Sequence, residues 1–94
     1  MRSHPLLATR VLRTDVGPTR FGLATGRALG SAVVRNRVRR RLREALRSMA
    51  PVTQPGWDVL VIARPANVEA EFGAVTQALR RLLTRGGVVE GEGA

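Results

Sequence analysis

Ser31-Ala32-Val33-Val34-Arg35-Asn36-Arg37-Val38-Arg39-Arg40-Arg41-Leu42-Arg43-Glu44-Ala45-Leu46-Arg47 is the stretch that organises the rest of the chain. Placed at about 100° per residue, Val34, Val38, Leu42, Ala45, Leu46 and the following Met49 fall within a stripe roughly 120° wide. Asn36, Arg37, Arg39, Arg40, Arg43 and Arg47 spread over the opposite side, and Arg35 and Arg41 flank the stripe. The pattern predicts one amphipathic helix. The Ser31 hydroxyl caps its start, and it runs to about Met49, where Pro51 and Pro55-Gly56 stop it.

The outward side of this helix carries a cost. Like charges at i,i+4 destabilise a helix by roughly 0.2–0.5 kcal/mol per pair. Arg35–Arg39, Arg37–Arg41, Arg39–Arg43 and Arg43–Arg47 are all such pairs, and only Glu44 offers relief, toward Arg40 or Arg41. A face kept merely soluble mixes its signs. This one repels itself until an anion neutralises it, and a guanidinium can fork two phosphate oxygens.

Working outward, Leu6–Arg13 reads as a strand, Asp15-Val16-Gly17-Pro18 as a turn and Arg20–Thr25 as a second strand. The short link predicts an antiparallel hairpin between them. Beyond the helix, Trp57-Asp58-Val59-Leu60-Val61-Ile62-Ala63 is the clearest strand, apolar enough to suggest a central position covered on both faces. Asn67 is positioned to cap a second helix reaching about Arg85. Phe72, Val75, Leu79, Leu82 and Leu83 share its apolar side, and Gly86-Gly87 end it. The order strand, strand, helix, strand, helix predicts an α+β two-layer sandwich: a small sheet, a long basic helix in a β-α-β crossover, and a C-terminal helix. Residues 1–87 form one domain in this reading, and residues 88–94, rich in Gly and Glu, a disordered tail.

Composition points the same way. The chain has 94 residues; sixteen basic residues, all arginine, face seven acidic ones, a formal net charge of +9. That excess favours a polyanion, because each neutralised phosphate releases condensed counterions. The absence of cysteine rules out disulfides and thiolate metal sites. No apolar run approaches the roughly 18–20 residues that cross a bilayer, so a soluble, cytoplasmic protein is expected. A basic helix could also read DNA or lie on a membrane. The first use calls for a compact helix-turn-helix or a dimerisation heptad, the second for bulky interfacial aromatics, and neither pattern is present.

The run Arg20-Phe21-Gly22-Leu23, then Gly30-Ser31-Ala32-Val33-Val34-Arg35-Asn36-Arg37 with its following arginines and Arg43-Glu44, resembles the bacterial ribonuclease P protein family. Asp58–Pro65 resembles the family's next strand, and the resemblance extends over about residues 4 to 86. It implies a protein subunit beside a catalytic RNA, which uses Mg²⁺ to remove the 5′ leader of precursor tRNA. The protein itself is not the catalyst and binds no cofactor. The implied RNA contacts are Arg35, Asn36, Arg37, Arg39, Arg40, Arg43, Arg27 and Arg47. Arg20 and Phe21 are implied for a leader cleft. The expected partners are the catalytic RNA and precursor tRNA, with no membrane and no further protein required. Two departures stand out. The helix that precedes the family's first strand is expected to be absent, and Gly26-Arg27-Ala28 stands where the family carries a Ser-Lys-Lys run.

Several residues have plainer readings. Phe21 suits core packing as well as base stacking, Asn36 a helix start as well as RNA, and Trp57 a packing anchor. His4 is lone and terminal, Asp58 and Glu44 have no obvious mates, and Gly26–Gly30 lacks the ending of a P-loop. No protein-borne catalytic pair or metal site is expected. The alternative to the family reading is a structural RNA-binding protein of the ribosomal type.

Overall fold

In the computed structural model, residues 1–91 are described, with four strands and two α-helices. The strands are β1 (Arg2–His4), β2 (Leu7–Arg13), β3 (Arg20–Ala24) and β4 (Trp57–Ala63), and the helices are α1 (Ala32–Ser48) and α2 (Phe72–Arg85). The sheet order is β1-β2-β4-β3. β2 runs antiparallel to β1 and β4, and β3 runs parallel to β4. The chain thus passes from β3 through α1 to its neighbour β4, as the expected crossover, and forms the expected two-layer α+β sandwich.

The expected hairpin between β2 and β3 does not form. β4 lies between them, and the 14–19 link reaches across it. Thr14 and Asp15 donate their backbone N–H groups to the Gly56 carbonyl at 2.8 and 3.3 Å, and Gly56 N–H donates to the Gly17 carbonyl at 3.0 Å. Gly56 has φ +88°, and a Cβ there would lie 3.5 Å from Asp15 Cα. The turn is therefore wrapped around the start of β4 and spans one strand's width. β1 is an addition to the expected elements; it pairs with β2 through a turn in which Leu6 N–H donates to His4 Nδ1 at 3.1 Å.

Both helices pack on one face of the sheet. Leu7, Val59, Val61 and Ala63 meet Val38, Leu42, Ala45 and Met49 from one helix and Val75, Ala78, Leu79, Leu82 and Leu83 from the other. Pairing aligns Leu12, Asp58 and Arg20, and likewise Arg10, Leu60 and Gly22, on the opposite face. That face is open, with Leu12 66% and Leu60 37% exposed, so β4 is central but not covered on both sides.

α1 starts as expected, with Ser31 Oγ accepting from Val34 N–H at 3.3 Å. α2 starts later than expected, after Glu71. Asn67 instead lies fully buried in a 3₁₀ turn, Pro65–Asn67, and its Nδ2 donates to the Leu6 carbonyl at 3.0 Å. Phe72 does not join the apolar side of α2; it is 41% exposed. The tail expected to be disordered from Val88 is in fact built into the core at its start. Val88 and Val89 are buried, Gln54 N–H donates to the Val88 carbonyl at 2.7 Å, and Glu90 N–H donates to the Val52 carbonyl at 2.9 Å. Two adjacent valines were hidden among glycines and glutamates, and their burial offsets the entropy of fixing them. The rest of that expectation, residues 92–94, lies outside the described residues.

Candidate nucleic-acid interface

The helical periodicity of α1 sorts six of its seven arginines into three groups that sequence alone does not separate. Arg37 and Arg41 turn toward the segment leading into α2: Arg37 Nη2 donates to the Val68 carbonyl at 3.2 Å and Arg41 Nη2 to the Ala70 carbonyl at 2.5 Å. They satisfy backbone acceptors in a loop and tie the two helices together. Arg39 is half-buried and held from two sides, by Asn36 Oδ1 at 2.9 Å and Thr25 Oγ1 at 2.6 Å. This fixes both Asn36 and Arg39 relative to the end of β3.

Arg35, Arg40 and Arg43 form the third group. Their guanidinium groups make no hydrogen bond or ion pair among the described residues, and Arg40 and Arg43 are exposed. Glu44 turns to Arg47 at 3.5 Å, rather than to Arg40 or Arg41 as expected, with both side chains largely in solvent. Such an exposed pair holds little energy. Arg27 is exposed in the 3₁₀ turn Arg27–Leu29 that precedes α1.

Arg20 and Phe21 do not share a cleft. Successive strand residues point to opposite faces. Arg20 lies on the open face, where it forks Asp58 at 2.9 and 3.0 Å. The Arg20 hydrogen bonds, helped by its charge, hold the Asp58 carboxyl below its ordinary pKa, against the opposing effect of desolvation. Phe21 lies on the helix side, half-buried, and lines a cleft with Arg43 and Arg47. Two further cationic sites escaped the sequence reading. Arg64 is exposed just beyond β4, at the sheet end where the parallel β3 also finishes. Arg80, Arg81 and Arg85 line a groove of about 820 Å³ between α2 and His4 and Leu6. The signal for the second was present, as three arginines on the polar side of an otherwise apolar helix. Among the described residues no three His, Asp, Glu or Cys side chains come together as metal ligands, and no helix is long and apolar enough to cross a membrane.

The fold and this face define a small α+β protein with an arginine-lined crossover helix. The family model described as Ribonuclease P matches residues 2–87. The ribonuclease P protein component of Symbiobacterium thermophilum is 46% identical over 84 residues, which cover 88% of this chain and 73% of that protein. That of Roseiflexus castenholzii is 50% identical over 74 residues, covering 78% and 61%. Among solved structures, the RNase P protein of Thermotoga maritima superposes with a TM-score of 0.81 at 27% identity, covering 95% of this chain and 82% of the other. That of Staphylococcus aureus gives 0.82 at 21% identity, covering 94% and 81%, and shows the shared fold. The chain belongs to the bacterial ribonuclease P protein family, the protein component of an endoribonuclease holoenzyme.

Proposed function

We propose that this chain binds the RNA subunit of ribonuclease P through the outward side of α1 and promotes removal of the 5′ leader from precursor tRNA. One observation carries the reading: Arg35, Arg40 and Arg43 stand on a rigid, capped helix with no counter-charge of their own among the described residues. Backbone phosphates supply that charge. Arg47 joins them by exchanging its weak pair with Glu44 for a phosphate, and Asn36 and Arg39 present a preset pair of polar groups beside them. Arg27 extends the cationic track past the start of the helix.

In this reading the bond cleavage, and the Mg²⁺ it requires, belong to the RNA subunit. Arg37 contributes chiefly to the fold through its bond to Val68. Arg20 is committed to Asp58 on the open face and Phe21 lies on the helix side, so the two do not form one leader cleft. The protein works in the cytoplasm and needs no other protein.

Reconstitution tests the proposal. The purified chain is added to bacterial ribonuclease P RNA at low Mg²⁺, and cleavage of a precursor tRNA is followed. A rise in the cleavage rate is expected; no rise over RNA alone overturns the reading.

A further inference from the structure

Beside the C-terminal half of α1 lies a cleft of about 430 Å³, bounded by the start of β3 and by the segment after the helix. Phe21, Leu46, Ala50 and Pro55 give it a mostly apolar lining, and Arg43 and Arg47 border the same space. Its size falls within the few hundred Å³ typical of sites for small ligands. The hydroxyls at its rim are already used. Thr19 Oγ1 donates to the Gln54 carbonyl at 2.5 Å and accepts from Trp57 N–H at 3.2 Å, and Thr53 Oγ1 donates to the Met49 carbonyl at 2.8 Å. Gln54 is the exception: it is exposed, lines the cleft, and its side-chain amide has no hydrogen-bond partner among the described residues.

We infer that this cleft receives one unstacked nucleobase of the RNA held by α1. The inference rests on the RNA-binding reading above and adds a base-level contact to it. Three features select this occupant. An aromatic ring and aliphatic walls suit the flat faces of a base, and base–aromatic stacking tolerates any base. A carboxamide offers one acceptor and two donors, which suits a base edge. Two guanidinium groups one helical turn apart suit the phosphates on either side of a splayed nucleotide. The cleft is also continuous with the arginine face, because Arg43 belongs to both.

The test is binding of the full chain to bacterial ribonuclease P RNA over a series of salt concentrations. Phe21→Leu should weaken binding about five-fold or more, the low end for removal of a base–aromatic stack. Phe21→Tyr, which keeps the ring, should stay within about two-fold of the parent on the same grounds. Gln54→Ala should weaken binding about three-fold, as expected for one neutral hydrogen bond. None of these changes should alter the slope of log affinity against log salt, because every arginine–phosphate pair is kept. Circular dichroism checks folding; should Phe21→Leu unfold, the exposed Gln54→Ala decides. Unchanged affinity in the variants, or a loss that comes with a shallower slope, overturns the inference while leaving the α1 reading intact. Failure of the parent chain to bind RNA overturns the α1 reading itself.

Discussion

α1 and α2 lie against each other on the same face of the sheet, yet they spend their residues differently. α2 buries Val75, Ala78, Leu79, Leu82 and Leu83 within 14 residues, and three arginines suffice for its outer side. α1 has 17 residues but buries only Val38, Leu42 and Ala45, with Met49 just beyond its end. The remainder is given over to mutually repelling arginines. α2 acts as a buttress, and the stability it supplies lets α1 hold an arrangement that is unfavourable in isolation. The difference teaches that the binding helix is positioned by packing rather than by its own helical preference.

The sharpest way to break the comparison is to weaken the buttress. Leu79 is fully buried, so Leu79→Ala should lower unfolding free energy by about 2–5 kcal/mol in a denaturant titration. RNA affinity per folded molecule should not change. The converse change is the double substitution Arg40→Ala, Arg43→Ala. It should reduce the log–log salt slope of RNA binding by about 0.7–0.9 for each phosphate no longer neutralised. The denaturation midpoint should stay put or rise slightly, since the Arg39–Arg43 and Arg43–Arg47 repulsions disappear.

Arg41→Ala separates arginines that look alike in sequence. It removes the bond to the Ala70 carbonyl and should cost about 1–2 kcal/mol of stability, while the salt slope stays nearly constant. A pronounced drop in slope instead would move Arg41 to the RNA-facing group. The smallest effect belongs to the open face. The Asp58 carboxyl titrates below its unfolded value of about 3.9, so its pair with Arg20 is fully present above about pH 4. That contribution is lost as pH falls through the lowered folded value. Asp58→Asn should therefore lower stability slightly above about pH 4 and leave it unchanged well below the folded value, which flattens the acid limb of a stability–pH curve.

What could be read from sequence was local. The Ser31 cap, the 3.6-residue period of α1 and the apolar run of β4 each declare themselves within a few residues, and the structure has them where expected. What escaped depends on distant partners. The position of β4 between β2 and β3 follows from Gly56 receiving the 14–17 turn, a contact between residues some forty positions apart. A helical wheel gives the angle of Arg41 and Arg43 but not the presence of a carbonyl beside one and open space beside the other. Arg20 and Phe21 are a different case. The two-residue period of a strand already separated them, and the family resemblance joined what alternation divides.

The strap formed by Val88 and Val89 has a practical consequence. The hydrogen bonds that residues 88–90 make with Gln54 and Val52 fasten this segment beside the rim of the cleft next to α1. A proteolytic nick after Gly87 would strip two valines from the interior and release the rim together with them. An affinity tag fused close behind Glu90 would crowd the same spot, so labels and surface tethers there belong on a spacer.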